Sequence, residues 1–282
     1  MQALESSRRR WPVMGLALLL AAPWAGLSQP SPDRLARSPD PITGPRSRLN
    51  KDWQGLRPMT ANTPILVMPG HADSQGFGSG ASGAAVAVMG QRPMDSTMSD
   101  ELYWNLATVE AVVRLGQLQG LRIKAYDPGT RRLANGNDPR TTWSVGKAHV
   151  AAGGYALEIH YDAHGPDGVG SGLIPPLQAS PSRLDESLAR AFGAFPQRFR
   201  DGLGAPKRGI AILEIGKLEG SLEGRLRNPE LRQVTLEAIA LRVVEALRQG
   251  LEPDPFPPLT PPPDAVGSAP PGQDRRASFG GE

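Results

Sequence analysis

The chain has 282 residues, a formal net charge of +3 and no cysteine. Residues 1–28 carry +2 of that charge, and no dense Lys/Arg stripe interleaved with aromatics follows, so the composition argues against nucleic acid as a partner. Without cysteine there are no disulfides, burial must hold the fold, and any metal site must use carboxylates and the four histidines, His71, His149, His160 and His164.

Residues 1–28 read as an export signal. Arg8-Arg9-Arg10 precede an apolar run from Trp11 to Ala22, and the small residues Gly26 and Ser28 form a cleavage pattern. The run is shorter than the ~20 residues of a membrane-spanning helix, so membrane contact is expected only through an uncleaved signal. Residues 29–61 are rich in Pro, Ser and Arg, lack periodicity and read as a linker. Residues 252–282 hold nine of the 29 prolines and read as a disordered Pro-rich tail. Residues 62–251 remain, enough for one domain with a sizeable core.

Within that domain, Pro64 to Met68 reads as a strand. The glycine-rich stretch from Gly76 to Gly83 lacks the Gly-Lys-Ser/Thr of a phosphate loop and reads as a loop on the rim of a site, with a short strand at Val86 to Met89 returning from it. Ser99 caps a helix whose first turn holds Asp100 and Glu101 and whose buried face is Leu102, Leu106, Val109 and Val113. Leu121 to Ala125 is a second strand. A helix over Thr142 to Ala152 follows Thr141 as N-cap, then a strand from Ala156 to His160, a helix from Arg183 to Phe192 and a strand from Ile210 to Glu214. Asn228-Pro229-Glu230 opens a last helix, lined by Leu231, Val234, Ala238 and Leu241 and ending near Gly250. This alternation predicts a single α/β domain with a mostly parallel sheet flanked by helices.

In such folds the site lies beyond the carboxyl ends of the strands. His71, His160 and Glu214 all fall there, and Glu101 opens a helix. Two imidazoles and a carboxylate can hold zinc with one position open, and a second carboxylate can move protons beside it, which is the makeup of a metal-dependent amide hydrolase. Apolar neighbours Ile212, Leu213 and Ile215 would raise the pKa of Glu214 towards a useful value. Glu158 or Asp162 could hold a ligand histidine by its other ring nitrogen. His164 either orients substrate or lies on a solvated loop, and His149 reads as structural.

Four motifs in order resemble the zinc-dependent N-acetylmuramoyl-L-alanine amidases of bacterial cell wall. They are Leu66-Val67-Met68-Pro69-Gly70-His71, Glu101 with Asn105, Glu158-Ile159-His160, and Ile212-Leu213-Glu214-Ile215-Gly216. Their spacing agrees too, with 30 residues from His71 to Glu101, 59 to His160 and 54 to Glu214. The resemblance spans roughly Ile65 to Leu247. It implies that His71, Glu101 and His160 hold one zinc ion and that Glu214 is catalytic. Together with the export signal it implies an enzyme of the periplasm or cell envelope acting on peptidoglycan, and the chain is expected to be a monomer. The chain departs from the family at Ala72-Asp73, at Tyr161 to His164 and at Lys217 to Gly220, which face the substrate. Two alternatives remain. A zinc carboxypeptidase would place Glu three residues after the first histidine, where Ser74 stands. A non-catalytic peptidoglycan-binding homologue would have no need of Glu214.

Overall fold

Five strands form one sheet in the order β2-β1-β3-β5-β4. The computed structural model describes residues 39–252 apart from Ser79. The strands are β1 (Ile65–Pro69), β2 (Ile123–Ala125), β3 (Tyr155–Asp162), β4 (Gly172–Ile174) and β5 (Ala211–Lys217). All pairings are parallel except that of β4 with β5. The central strands β1 and β3 are buried along their whole length, as expected of a sheet covered on both faces. No described helix is long and apolar enough to cross a membrane.

The helices are α1 (Ala84–Ala87), α2 (Asp100–Leu118), α3 (Thr142–Ala151), α4 (Arg183–Phe192), α5 (Gly220–Arg227) and α6 (Pro229–Leu251). Ser99, Thr141, Ser182 and Asn228 each accept a backbone N–H at a helix start, as their residue types favour. Helices α2, α4 and α6 pack with Ile65, Val67, Leu157, Ile159, Leu213 and Ile215 on one face. Helix α3 covers the other, where Leu66, Met68, Ala156 and Ile212 lie. Gly146 lets α3 approach closely, since a Cβ there would stand 2.6 Å from Ile210 Cδ1 and 2.8 Å from Met68 Cε.

Three expectations need correction. Residues 39–61 do not behave as a linker. Trp53 is buried and donates from Nε1 to Phe195 O at 2.9 Å, while Asp40 pairs with Arg242 of α6 at 2.9 Å. Composition hid this because the segment packs through isolated anchors rather than a periodic face. Val86 to Met89 is no strand. Ala84–Ala87 forms one helical turn, with the Glu223 carboxylate accepting Ala85 N–H, and Val88 and Met89 are exposed. On α6 the stripe Leu231, Val234, Leu241 faces outward. The core takes Leu236, Ile239, Ala240, Val243, Val244 and Leu247 instead. The helix carries two apolar stripes, and the one richer in large β-branched residues is buried. Beyond these, β4 and α5 were not expected; the three residues of β4 are too few to show a period.

Candidate metal centre and its cavity

The site forms where β1, β3 and β5 end on the face covered by α3. Register places His160 beside Glu214 and Glu158 beside Ile212. Side chains two apart on a strand share a face, so Glu158, His160 and Glu214 emerge together. β1 continues into Gly70, whose N–H donates to Ile159 O at 2.9 Å. A Cβ on Gly70 would lie 2.2 to 2.6 Å from atoms of the His160 ring, so only glycine leaves room for that imidazole.

His71 follows with φ 62, in the left-handed region. A non-glycine residue held there costs about 1–3 kcal/mol and persists only when its surroundings impose it. The imposing contacts run through Gln75, whose amide donates to His71 O at 3.0 Å and accepts Ser99 N–H at 2.8 Å. Buried Asn105 donates to Gly70 O at 3.0 Å. The turn after β1 is thereby tied to the start of α2, and the His71 ring meets His160 edge to face at 4.8 Å between centroids.

Glu101, in the first turn of α2, divides its oxygens. Oε2 accepts Ala81 N–H at 2.6 Å, while Oε1 lies 3.3 Å from His71 Nε2 and 3.2 Å from His160 Nδ1. One donor atom from each of these three residues lies within 4.8 Å of the others, so together they could hold a metal ion. The two distances to Glu101 match a zinc site, because four ligands at 2.0–2.1 Å from a tetrahedral centre stand about 3.3 Å apart. On the far side of the ring, His160 Nε2 lies 3.4 Å from Glu158 Oε2. The other oxygen of Glu158, Oε1, is buried without a hydrogen-bond partner.

The electrostatics follow from burial among like and unlike charges. Burial alone would raise the Glu101 carboxyl, but His71 and His160 hold it well below the usual range. Burial would lower His160, yet its contacts to Glu101 and Glu158 and the charge of Glu214 push it well above an ordinary histidine. Glu214 has no such hydrogen bonds. Burial, reinforced by Glu101 and Asp162 and opposed by His160 and Arg200, pushes it up to about 8. The rise expected from its apolar flanks is present.

A cavity of about 510 Å³ opens onto His71, Glu158, His160 and Glu214. Phe77, Leu133, Trp143 and Leu203 supply much of its apolar wall, and Asp73 and Arg200 also line it. Asp73 is among the residues expected to face the substrate, whereas nothing in the sequence marks Arg200 as a site residue. Asp73 is fixed by Thr142, whose N–H donates to Oδ2 at 2.7 Å at the start of α3. Arg200 lies in an irregular stretch between α4 and β5, where no periodic signal exists. The remaining candidates stand elsewhere. Asp162 accepts N–H bonds from Ala163, Val169 and Gly170 and shapes that loop, without touching a histidine. His164 Nδ1 contacts Ser82 O at 3.0 Å, outside the cavity lining. His149 Nε2 contacts Pro64 O at 3.0 Å, in keeping with a structural role.

No family model matches the chain, and no curated protein matches it. Among solved structures, it is similar to the catalytic domain of an endolysin targeting Clostridia difficile, at 18% identity over 66% of this chain and 96% of that one, TM-score 0.44. It is also similar to the catalytic domain of CwlV, an N-acetylmuramoyl-L-alanine amidase from Bacillus (Paenibacillus) polymyxa var. colistinus, at 15% identity over 67% and 96%, TM-score 0.42. A third is the N-acetylmuramoyl-L-alanine amidase AmiC2 of Nostoc punctiforme, at 17% identity over 67% and 99%, TM-score 0.43.

Proposed function

We propose that this chain is a zinc-dependent amidase that hydrolyses the amide between the lactyl group of N-acetylmuramic acid and L-alanine in peptidoglycan. The observation that carries this reading is the convergence of the His71, Glu101 and His160 donor atoms on a cavity that also presents Glu214. The four sequence motifs that resemble the cell-wall amidases supply those same residues. Two imidazoles and one carboxylate leave a coordination position open, the ligand count of catalytic zinc sites. Zinc held there supplies Lewis acidity, polarising an amide carbonyl and making water more acidic.

The chain's own groups do the rest. Glu214 sits beside His160 by register and, with a pKa of about 8, can both accept and release a proton near neutral pH. It takes the proton of the attacking water and delivers one to the departing alanine amine. Glu158 orients His160 from the side away from Glu101. Asn105 and Gln75 fix the turn that carries His71. Trp143 and Leu203 supply apolar wall beside the reacting groups. The export-like residues 1–28 lie outside the described residues; with them the chain acts in the periplasm or cell envelope, as a monomer.

The test is digestion of purified peptidoglycan by zinc-loaded protein, with mass analysis of the products. The amidase releases intact stem peptides bearing a free alanine amine. Release of shortened peptides would assign the site to a carboxypeptidase, and sedimentation with the wall without any product would assign it to a binding homologue.

A further inference from the structure

The cavity beside Glu214 carries acids on its floor, Asp73, Glu158 and Glu214, and much apolar surface on its walls. Arg200 is the only Lys or Arg among its described lining residues. Its backbone is unusual. Arg200, Asp201 and Gly202 follow one another with φ 47, 59 and 84, all in the left-handed region. Glycine takes that conformation freely; two side-chain-bearing residues in succession do so at a cost, and such strain gathers at functional sites. Arg200 is exposed and lines the cavity from this bend.

The guanidinium is anchored but not neutralised. Nη2 donates to Asp167 O at 3.2 Å, and Cζ lies 4.9 Å from the centroid of the Phe199 ring. No carboxylate of the described residues forms an ion pair with it. A guanidinium has five N–H donors in a fixed fork that matches a carboxylate. A held, partly solvated arginine at the wall of a substrate cavity therefore presents a receptor for an anionic oxygen pair.

We infer that Arg200 binds a carboxylate of the peptide substrate, so that the enzyme selects stem peptides with a free acid over the same peptides amidated at that position. This rests on the amidase reading. It makes Arg200 a specificity-determining residue, separate from the groups that hold metal or move protons.

The test uses zinc-loaded protein and paired N-acetylmuramoyl peptides, as free acid and as carboxamide. Wild type should favour the acid about tenfold or more in kcat/KM, a range set by one charge-assisted bidentate contact. Arg200→Gln should raise KM for the acid much more than for the carboxamide and keep the zinc content, since any effect of the lost charge on Glu214 falls equally on both peptides. Arg200→Gly removes the same charge at a backbone position glycine tolerates, so it should reproduce that loss of selectivity in a stable protein. Equal effects on acid and carboxamide, or no effect on either, would overturn the assignment. Calorimetry of the same peptide pair on Glu214→Gln protein reads binding without turnover. If wild type cleaves neither peptide, the amidase reading fails. A calorimetric preference for the acid that Arg200→Gly abolishes still upholds the role of Arg200, and equal affinities overturn it.

Discussion

His160 and Glu214 are register partners on adjacent parallel strands, β3 and β5. One emerges against Glu101 and His71, the other against the cavity, so neighbouring positions on one sheet face carry a residue that could hold a metal and the residue we propose as proton carrier. The separation of roles predicts a separable loss. Glu214→Gln keeps the shape of the side chain and removes its basicity. It should lower kcat by about 10²- to 10⁴-fold, the usual scale for general acid–base catalysis, while binding zinc as wild type does. Metal analysis beside single-turnover kinetics checks this, and full activity in the variant would remove Glu214 from the mechanism.

Glu158 makes a different prediction. Its Oε2 faces His160 Nε2, leaving Nδ1 turned to Glu101. Such outer carboxylates fix the ring and typically contribute about 10- to 100-fold to metal affinity. Glu158→Ala should lose that factor in chelator competition. Glu158→Gln, which still offers an acceptor oxygen, should retain most of it. Equal affinity in Glu158→Ala and wild type would show that the ring is held by packing alone.

Much of this site was legible in the sequence because strand ends announce themselves. His71 follows the end of β1, while β3 and β5 run on past His160 and Glu214 by two and three residues, and parallel topology still gathers these positions on one edge. Glu101 was legible through its N-cap Ser99. What periodicity cannot show is the wall opposite. Asp73 and Arg200 reach the cavity from turns, and their positions depend on Thr142 and on a left-handed bend. The buried face of α6 was misread for a related reason. Two stripes satisfy helical spacing, and only the tertiary contact with α2 and α4 selects between them.

Gly70 offers a steric test. A methyl group there would overlap the His160 ring, at 2.2 to 2.6 Å from three ring atoms. The ring must move or the turn must open, and overpacking of this kind costs about 1–3 kcal/mol. Gly70→Ala should therefore both lower the unfolding temperature and release zinc. Gly224→Ala is the control, because its Cβ would meet nothing within 4 Å in the middle of α5. That change should stabilise the protein by about 0.5–1 kcal/mol and leave zinc bound. A Gly70→Ala protein with normal metal affinity would mean that the turn is more compliant than its contacts indicate.

Asp40 gives the pH prediction. Burial pushes its carboxyl up, but the N–H groups of Thr43 and Ile42 and the Arg242 guanidinium outweigh it and hold the pKa below 3.8. A depressed carboxyl contributes stability that is fully present above its unfolded pKa and is lost as pH falls through the folded one. The contribution of Asp40 should thus be constant from neutral pH down to the unfolded value of 3.8 and decline below it. Asp40→Ala should cost about 1–2 kcal/mol at pH 7, the scale of a few hydrogen bonds to a partly exposed charge. Because Asp40 ties the segment containing Ile42 and Thr43 to α6, that segment should also become sensitive to protease in the variant. Denaturant unfolding of metal-free wild type and variant at pH 7 and near pH 3, at matched ionic strength, should show the gap between them narrowing in acid. A gap that stayed constant over that range would assign the cost to packing of the segment rather than to its charge.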